Sequence, residues 1–267
     1  MFKKIGIIGA GVMGEVFISR LLMVGINAKN IIATAPDLKR LRNLNKKYKI
    51  DVSQNNADAF KNADLIILAV KPQQAEVALG NLPKAKIDQV FLSIMTGVSI
   101  KKISNLVNSK KVARVMPNTP ARIGSGMSVW TAAGLFKAEK SFIKRILQSL
   151  GQELEVSSED LIDKATAVSG SGPAYVFDFA SHLIVAAQEL GFNEKQARQL
   201  VGQTIIGAGS LLIMSEESAS DLRKKVTSKG GTTEAAFKVI DKAKLNKIYS
   251  KALKVAYKRA RELRGGI

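Results

Sequence analysis

Cysteine is absent from the 267 residues, histidine and tryptophan occur once each, and acidic side chains are scarce at 22 against 41 Lys and Arg. Without cysteine there is no disulfide, no thiolate metal site and no cysteine nucleophile. A cytoplasmic location fits that composition, and no metal is expected. No apolar run reaches the roughly 18 to 20 residues needed to cross a bilayer, so no membrane span is expected. The opening MFKKIGIIGAG does not read as a signal peptide, because glycines interrupt its apolar stretch and it runs straight into a motif. The net charge of +19 suggests an anionic partner: nucleic acid, an anionic surface or a phosphorylated cofactor. Its densest groups are Lys39, Arg40, Arg42, Lys46 and Lys47, and the stretch from Lys254 to Arg264. These lack the interleaved aromatics that stack on bases, so solvated helix faces are the simpler reading and no specific nucleic acid is expected.

What is present is an alternation of strand and helix. Ile5–Ile8, Ile31–Thr34, Leu65–Val70, Val90–Ile94 and Val112–Met116 read as strands, with Ser128–Thr131 and Glu153–Val156 following. Met13–Val24, Asp37–Tyr48 and Lys137–Leu150 read as helices between them. The run LIILAV is apolar at every position, the pattern of a parallel strand covered on both faces. The expected fold is α/β, an N-terminal Rossmann doubly wound sheet followed by an all-helical C-terminal domain, to which the family resemblance given below adds a dimerisation role. The pattern changes near Glu159, beyond which residues 160–168, 173–190, 194–214, 218–225 and 232–263 all read as helix. The expected domains are therefore 1–159, dinucleotide-binding, and 160–267, helical.

Gly9-Ala10-Gly11-Val12-Met13-Gly14 matches GxGxxG between a strand and a helix, the context that gives this motif meaning. Gly9 permits a tight turn, Gly11 lets the backbone approach a pyrophosphate, and Gly14 lets helix and strand pack closely. The helix N-terminus supplies free N–H groups to the phosphates. The residue ending the second strand, about 20 residues on, selects the dinucleotide. Here it is Thr34, followed by Ala35 and Pro36, where NAD binders place an acid. Thr34 with Lys39 or Arg40 suits a 2′-phosphate, so NADPH is expected and NADH is possible; Asp37 is near enough to reach back to a ribose.

Other motifs lie downstream. Ala69-Val70-Lys71-Pro72 falls at the carboxyl edge of the sheet, where open α/β folds bind ligands. MPNTP at 116–120 makes a stiff loop, and SGSGPAYVF at 169–177 starts a helix with proline at its first position. VTSKGGTTEAA at 226–236 looks like an anion-binding loop. The ordered set GAGVMG, AVKP, MPNTPA, SGSGPAYVF and VTSKGGTTEAA resembles pyrroline-5-carboxylate reductase over essentially the whole chain. That resemblance implies reduction of 1-pyrroline-5-carboxylate to L-proline with NADPH or NADH, a homodimer, and a larger ring of dimers. By the same resemblance, Gly9–Gly14, Thr34, Asn56, Ala69–Pro72 (Ala69, Val70, Lys71, Pro72) and Met95, Thr96 and Gly97 contact cofactor. Glu216, Ser228, Thr232 and Thr233 surround the imine and its carboxylate, with Thr233 as proton or hydrogen-bond donor. Two positions depart from the family pattern: Lys229 stands where proline is common, and Gly14 where alanine is common.

The chemistry fits these residues. Gly230 and Gly231 let consecutive N–H groups converge on a carboxylate, and Thr232 or Thr233 caps the helix expected near Glu234. The lone His182 lies mid-helix and reads as a packing or interface residue. Dehydrogenases of the β-hydroxyacid type use a lysine of the second domain as acid. Lys195 is the nearest candidate for that role but lacks the glycine-rich helix context. The apolar spacing of the tail reads on its own as core packing, while the family resemblance implies a dimer interface made with the 194–214 helix, where Gly202, Gly207, Ala208 and Gly209 allow close approach.

Overall fold

Ile5–Ile8 (β1), Leu65–Leu68 and Val90–Ser93 are buried at every position, as apolar runs covered on both faces must be. The computed structural model describes residues 2–266, so the outer limits expected at 1 and 267 lie outside it. After β1 come α1 (Val12–Met23), β2 (Ile31–Thr34), α2 (Leu38–Tyr48), β3 (Asp51–Ser53), α3 (Asn56–Asn62) and β4 (Leu65–Leu68). There follow α4 (Ala75–Leu79), β5 (Val90–Ser93), α5 (Ile100–Val107), β6 (Val112–Met116), β7 (Gly126–Ala133), α6 (Lys137–Ser149) and β8 (Gly151–Glu155). The strands form one sheet in the order β3-β2-β1-β4-β5-β6-β7-β8. All neighbours are parallel except β6 and β7, which pair antiparallel from Val112 opposite Ala133 to Met116 opposite Val129. This is the expected doubly wound sheet with one reversal near its far edge.

Two cores cover the two faces, and the period-two alternation of the strands deals residues between them. Ile7, Ile67 and Leu92 pack with Phe17, Leu21, Trp130 and Ile143 on one side. Ile8, Leu68 and Phe91 pack with Phe60, Leu79 and Ile103 on the other. Fully burying one such side chain contributes about 1.5–3 kcal/mol, so the sheet is the rigid part of the molecule.

Strand ends differ from expectation by a residue or two. β4 stops at Leu68, β7 is longer than Ser128–Thr131, and β8 begins at Gly151. β3, α3, α4 and α5 were not expected; they are short, and three of the four span seven residues or fewer, too few to show a period.

The rest is helical as expected: α7 (Glu159–Ala165), α8 (Gly172–Glu189), α9 (Glu194–Met214), α10 (Ala219–Lys225), α11 (Thr232–Ile240) and α12 (Leu245–Gly266). The expected helix over 160–168 instead passes into a π turn at Thr166–Gly170. The expected continuous helix over 232–263 breaks at Lys244, whose φ of 51° is left-handed. None of the helices is long and apolar enough to cross a membrane among the described residues. By contact, the chain divides into two compact units. One runs up to Ser171 and resumes at Val255; the other is Gly172–Lys254.

Candidate functional site

The register aligns Ile8 with Thr34 and Leu68, Leu68 with Ser93, and Thr34 with Ser53. Five parallel strands thus end on one line, and the order reverses between β1 and β4, the switch point at which such sheets bind ligands. Every cofactor candidate follows one of these ends. Gly9–Gly14 leave β1, Thr34 closes β2, Asn56 opens α3, Ala69–Pro72 leave β4 and Met95–Gly97 leave β5.

The glycines have separable roles. Gly9 has φ of 100°, and a Cβ there would stand 2.6 Å from the Ala69 carbonyl carbon. A Cβ on Gly14 would stand 2.2 Å from the Gly9 oxygen. Alanine at position 14 therefore requires the Gly9 peptide to move in this chain. Gly11 faces open space, with nothing within 4 Å of where its Cβ would be. The turn is drawn tight beneath and left clear above, so the residues present fit a dinucleotide pyrophosphate. The first-turn amides of α1 receive no side-chain cap and remain for phosphate oxygens.

Beside the turn, Gly9, Thr34, Ala35, Pro36, Gln54, Asn56, Val70 and Val77 line a cavity of about 220 Å³. Thr34 is fully buried; its hydroxyl donates to Asn56 Oδ1 at 2.7 Å, and Asn56 Nδ2 donates to the Ala78 carbonyl at 3.1 Å. The two residues are brought together as one polar floor. Asp37 caps α2 by accepting from the Arg40 amide at 3.0 Å, which engages the carboxylate otherwise nearest a ribose. Lys39 is exposed and carries no ion pair among the described residues. Arg40 is spent elsewhere: its guanidinium donates to the carbonyls of Ala10 and Gly11 and to Glu15. Glu15 also accepts from Lys47 at 2.9 Å and Tyr48 at 3.0 Å. Its carboxyl is held below the ordinary 4.5, first by the Lys47 hydrogen bond. Lys47 is pushed up to about 12, first by the Tyr48 hydroxyl and then by Glu15.

Met95 and Gly97 are buried, and Gly97 has φ of 74°. A Cβ at Gly97 would lie 2.8 Å from the Leu263 Cβ, so the end of α12 rests on this loop. The next residue, Arg264, stands 3.0 Å from Asp163, which also takes Arg114 at 2.8 Å; Arg114 holds Glu159 at 2.9 Å. Glu159 in turn accepts from the Ile100 amide at the head of α5. Nearby, Asn118 donates to the Ser169 carbonyl at 3.0 Å, joining the MPNTP loop to the π turn. Lys71 is exposed and caps the turn that Pro72 begins.

In the second unit, Gly230 has φ of 75°, and its N–H donates to Glu234 at 3.0 Å. A Cβ on Gly231 would stand 2.5 Å from the Ser228 hydroxyl. The cap of α11 is Gly231, which provides no side-chain oxygen, so Thr232 and Thr233 occupy the first turn. This corrects the expected threonine cap: the helix starts earlier, and no side chain caps its first turn. The Gly230 and Gly231 N–H groups, expected to converge on a carboxylate, are instead given to Glu234 and to the Ser228 carbonyl. Arg223, in α10, binds both oxygens of Asp241 at 2.7 and 3.0 Å and stacks on Phe237 at 3.6 Å. It pins together the two helices that carry the 226–231 segment. Lys229 is exposed. Glu216 lies exposed in the α9–α10 turn, and no hydrogen bond or ion pair joins it to residues 228–233 among the described residues. His182 is exposed, its Nδ1 2.8 Å from the Asp178 carbonyl. Sequence reasoning missed Arg40 as a loop contact, and it missed Arg223 and Arg114 altogether. Only their charge was visible, and charge does not tell a bonded arginine from a solvated one.

Comparison with known proteins bears on both units. Residues 159–263 match the family described as pyrroline-5-carboxylate reductase dimerisation, and residues 4–97 match NADP oxidoreductase coenzyme F420-dependent. The chain is 36% identical to the pyrroline-5-carboxylate reductase of Vibrio alginolyticus, over 98% of this chain and 97% of that one. The solved pyrroline-5-carboxylate reductase of Coxiella burnetii superposes with a TM-score of 0.90 at 34% identity, covering 98% of each chain. The Plasmodium falciparum pyrroline carboxylate reductase, solved with NADP bound, gives a TM-score of 0.87 at 27% identity over 98% of each chain.

Proposed function

The chain belongs to the pyrroline-5-carboxylate reductase family, and from that premise we propose how its own residues carry out the reaction. It reduces 1-pyrroline-5-carboxylate to L-proline, the last step of proline biosynthesis. The nicotinamide cofactor, NAD(P)H with NADPH preferred, supplies the hydride when bound. The chain's residues must hold the dinucleotide, fix the imino acid by its carboxylate, and present a proton to the ring nitrogen.

Residues 1–159 are assigned to the dinucleotide, with Gly9–Gly14, Thr34, Lys39, Asn56, Ala69–Pro72 and Met95–Gly97 as its contacts. Lys39, free of ion pairs and next to an occupied Asp37, is the cation for a 2′-phosphate. Residues 160–267 are assigned to the imino acid and to dimerisation. One observation carries the substrate assignment: the start of α11 behind Gly231, where the first turn at Thr232 and Thr233 receives no side-chain cap and the partial positive end of the helix meets a glycine turn. That geometry suits one carboxylate, with Ser228, Gly230, Gly231 and Thr232 around it and Glu216 at the rim. Thr233 donates its hydroxyl proton toward the ring nitrogen. A hydroxyl suffices because the imine protonates readily near neutral pH.

The helical unit self-associates, as its match to the dimerisation family implies. A ring of dimers and a cytoplasmic location complete the proposal. The test is cofactor oxidation with pyrroline-5-carboxylate against a panel of hydroxyacids and sugar phosphates. Turnover with the imine alone is expected. Turnover with a hydroxyacid instead would move the acid role to a lysine such as Lys195.

A further inference from the structure

We propose that Arg40 is a positioning residue for the dinucleotide turn, setting the direction of its phosphate-binding amides, and is not a ligand of the 2′-phosphate. Sequence alone made Arg40 and Lys39 equivalent candidates for that phosphate. The geometry separates them. Arg40 Nε donates to the Ala10 carbonyl, and Nη2 reaches both the Gly11 carbonyl at 3.0 Å and Glu15 Oε2 at 2.9 Å. A trans peptide is planar, with its C=O and N–H pointing opposite ways, and the described chain contains no cis bond. Holding the Ala10 oxygen therefore aims the Gly11 N–H, and holding the Gly11 oxygen aims the Val12 N–H, toward the opposite side of the turn. The backbone there is open to a ligand, since nothing stands within 4 Å of a Cβ placed on Gly11.

Glycines at 9 and 11 make this device necessary. They allow the close approach, and Gly11 leaves the Ala10–Gly11 plane loosely restrained, whereas the Gly11 carbonyl also accepts from the Glu15 amide at 2.9 Å. Glu15 keeps the guanidinium in place, and Lys47 and Tyr48 on α2 keep Glu15 in place. Swinging Arg40 out to a 2′-phosphate would release the Ala10 carbonyl, one of the two bonds at the Gly11 carbonyl and an ion pair at once. Lys39 has nothing to release.

The inference rests on residues 9–14 being the dinucleotide turn. Calorimetric binding of NADP⁺ and of NAD⁺ to the unaltered chain tests that reading separately, and no binding of either would overturn both. Arg40→Ala is expected to weaken NADP⁺ and NAD⁺ by the same factor, about ten- to a hundredfold. Lys39→Ala is expected to weaken NADP⁺ alone. Without any nucleotide, Arg40→Ala should speed hydrogen exchange at the Gly11 and Val12 amides, with no general rise across the β1–β4–β5 strands. Glu15→Gln, which leaves Arg40 in the chain but removes its anchor, should reproduce the cofactor-blind loss in weaker form if Arg40→Ala proves unstable. Loss of NADP⁺ affinity with NAD⁺ unchanged in either variant would make Arg40 a phosphate ligand and overturn the proposal. Unchanged affinity for both would overturn it as well.

Discussion

Thr233 sits in the first turn of α11, and its proposed work is done by one hydroxyl. Thr233→Ala should lower kcat by about a hundredfold, while Thr233→Ser keeps most of it and the Kd for NADPH stays put in both. A matching rise in that Kd would mean the residue serves the cofactor side. Gly14 is a different kind of position. An alanine Cβ would stand 2.2 Å from a backbone oxygen, so Gly14→Ala should cost about 1–3 kcal/mol in thermal or denaturant unfolding. Glu15 gives a pH signature. Its folded carboxyl lies below the ordinary 4.5, so its contribution is fully present above about pH 4.5 and is lost as pH falls through the lowered value. Glu15→Gln should therefore flatten the acid limb of a Tm against pH curve. At this scale the sequence was informative about glycines, whose spacing states their backbone purpose. It was uninformative about arginines, because a charge in the sequence does not name its partner 25 or 30 residues away.

Among the elements, α10 and α11 depend on one residue. Arg223 is bidentate to Asp241 and stacked on Phe237, which closes the base of the 226–231 segment. Arg223→Ala should raise KM for the imino acid severalfold with little change in cofactor Kd, measured by steady-state kinetics and calorimetry. Arg114 is buried against Asp163 and Glu159. Arg114→Met leaves two carboxylates short of a cation and should destabilise by about 3–5 kcal/mol in denaturant titration. The buried strands were legible because runs such as LIIL can only be covered on both sides. β3 was not, being three residues at the sheet edge with a polar residue at each end. The break at Lys244 was not either, since no glycine or proline marks it. The cap of α11 was misplaced by a residue, because two threonines after two glycines offer two caps and the backbone took a glycine.

For the whole molecule, the telling quantity is what the helical unit fails to bury. Between Gly172 and Lys254 only Ala197 and Val201 are buried, while Phe177, Ile206, Leu211, Ile213 and Met214 are each more than 60% exposed. So much apolar surface on one unit marks an interface, and the dimerisation match says what covers it. Ile206→Asp should shift the chain toward monomer in sedimentation and lower its Tm at equal concentration.

The return of the chain to its first unit at Val255 sets an order of events in time. Leu263 and Arg264 complete the packing around Gly97 and Asp163, yet roughly ninety residues separate them from Ser171. At a synthesis rate of about 5–20 residues per second, the finished sheet waits roughly 5–18 s for the end of its closing helix to be made. During that wait the nascent chain exposes the seat of its own last turn, and a helper that shields this seat would act on the newborn protein alone.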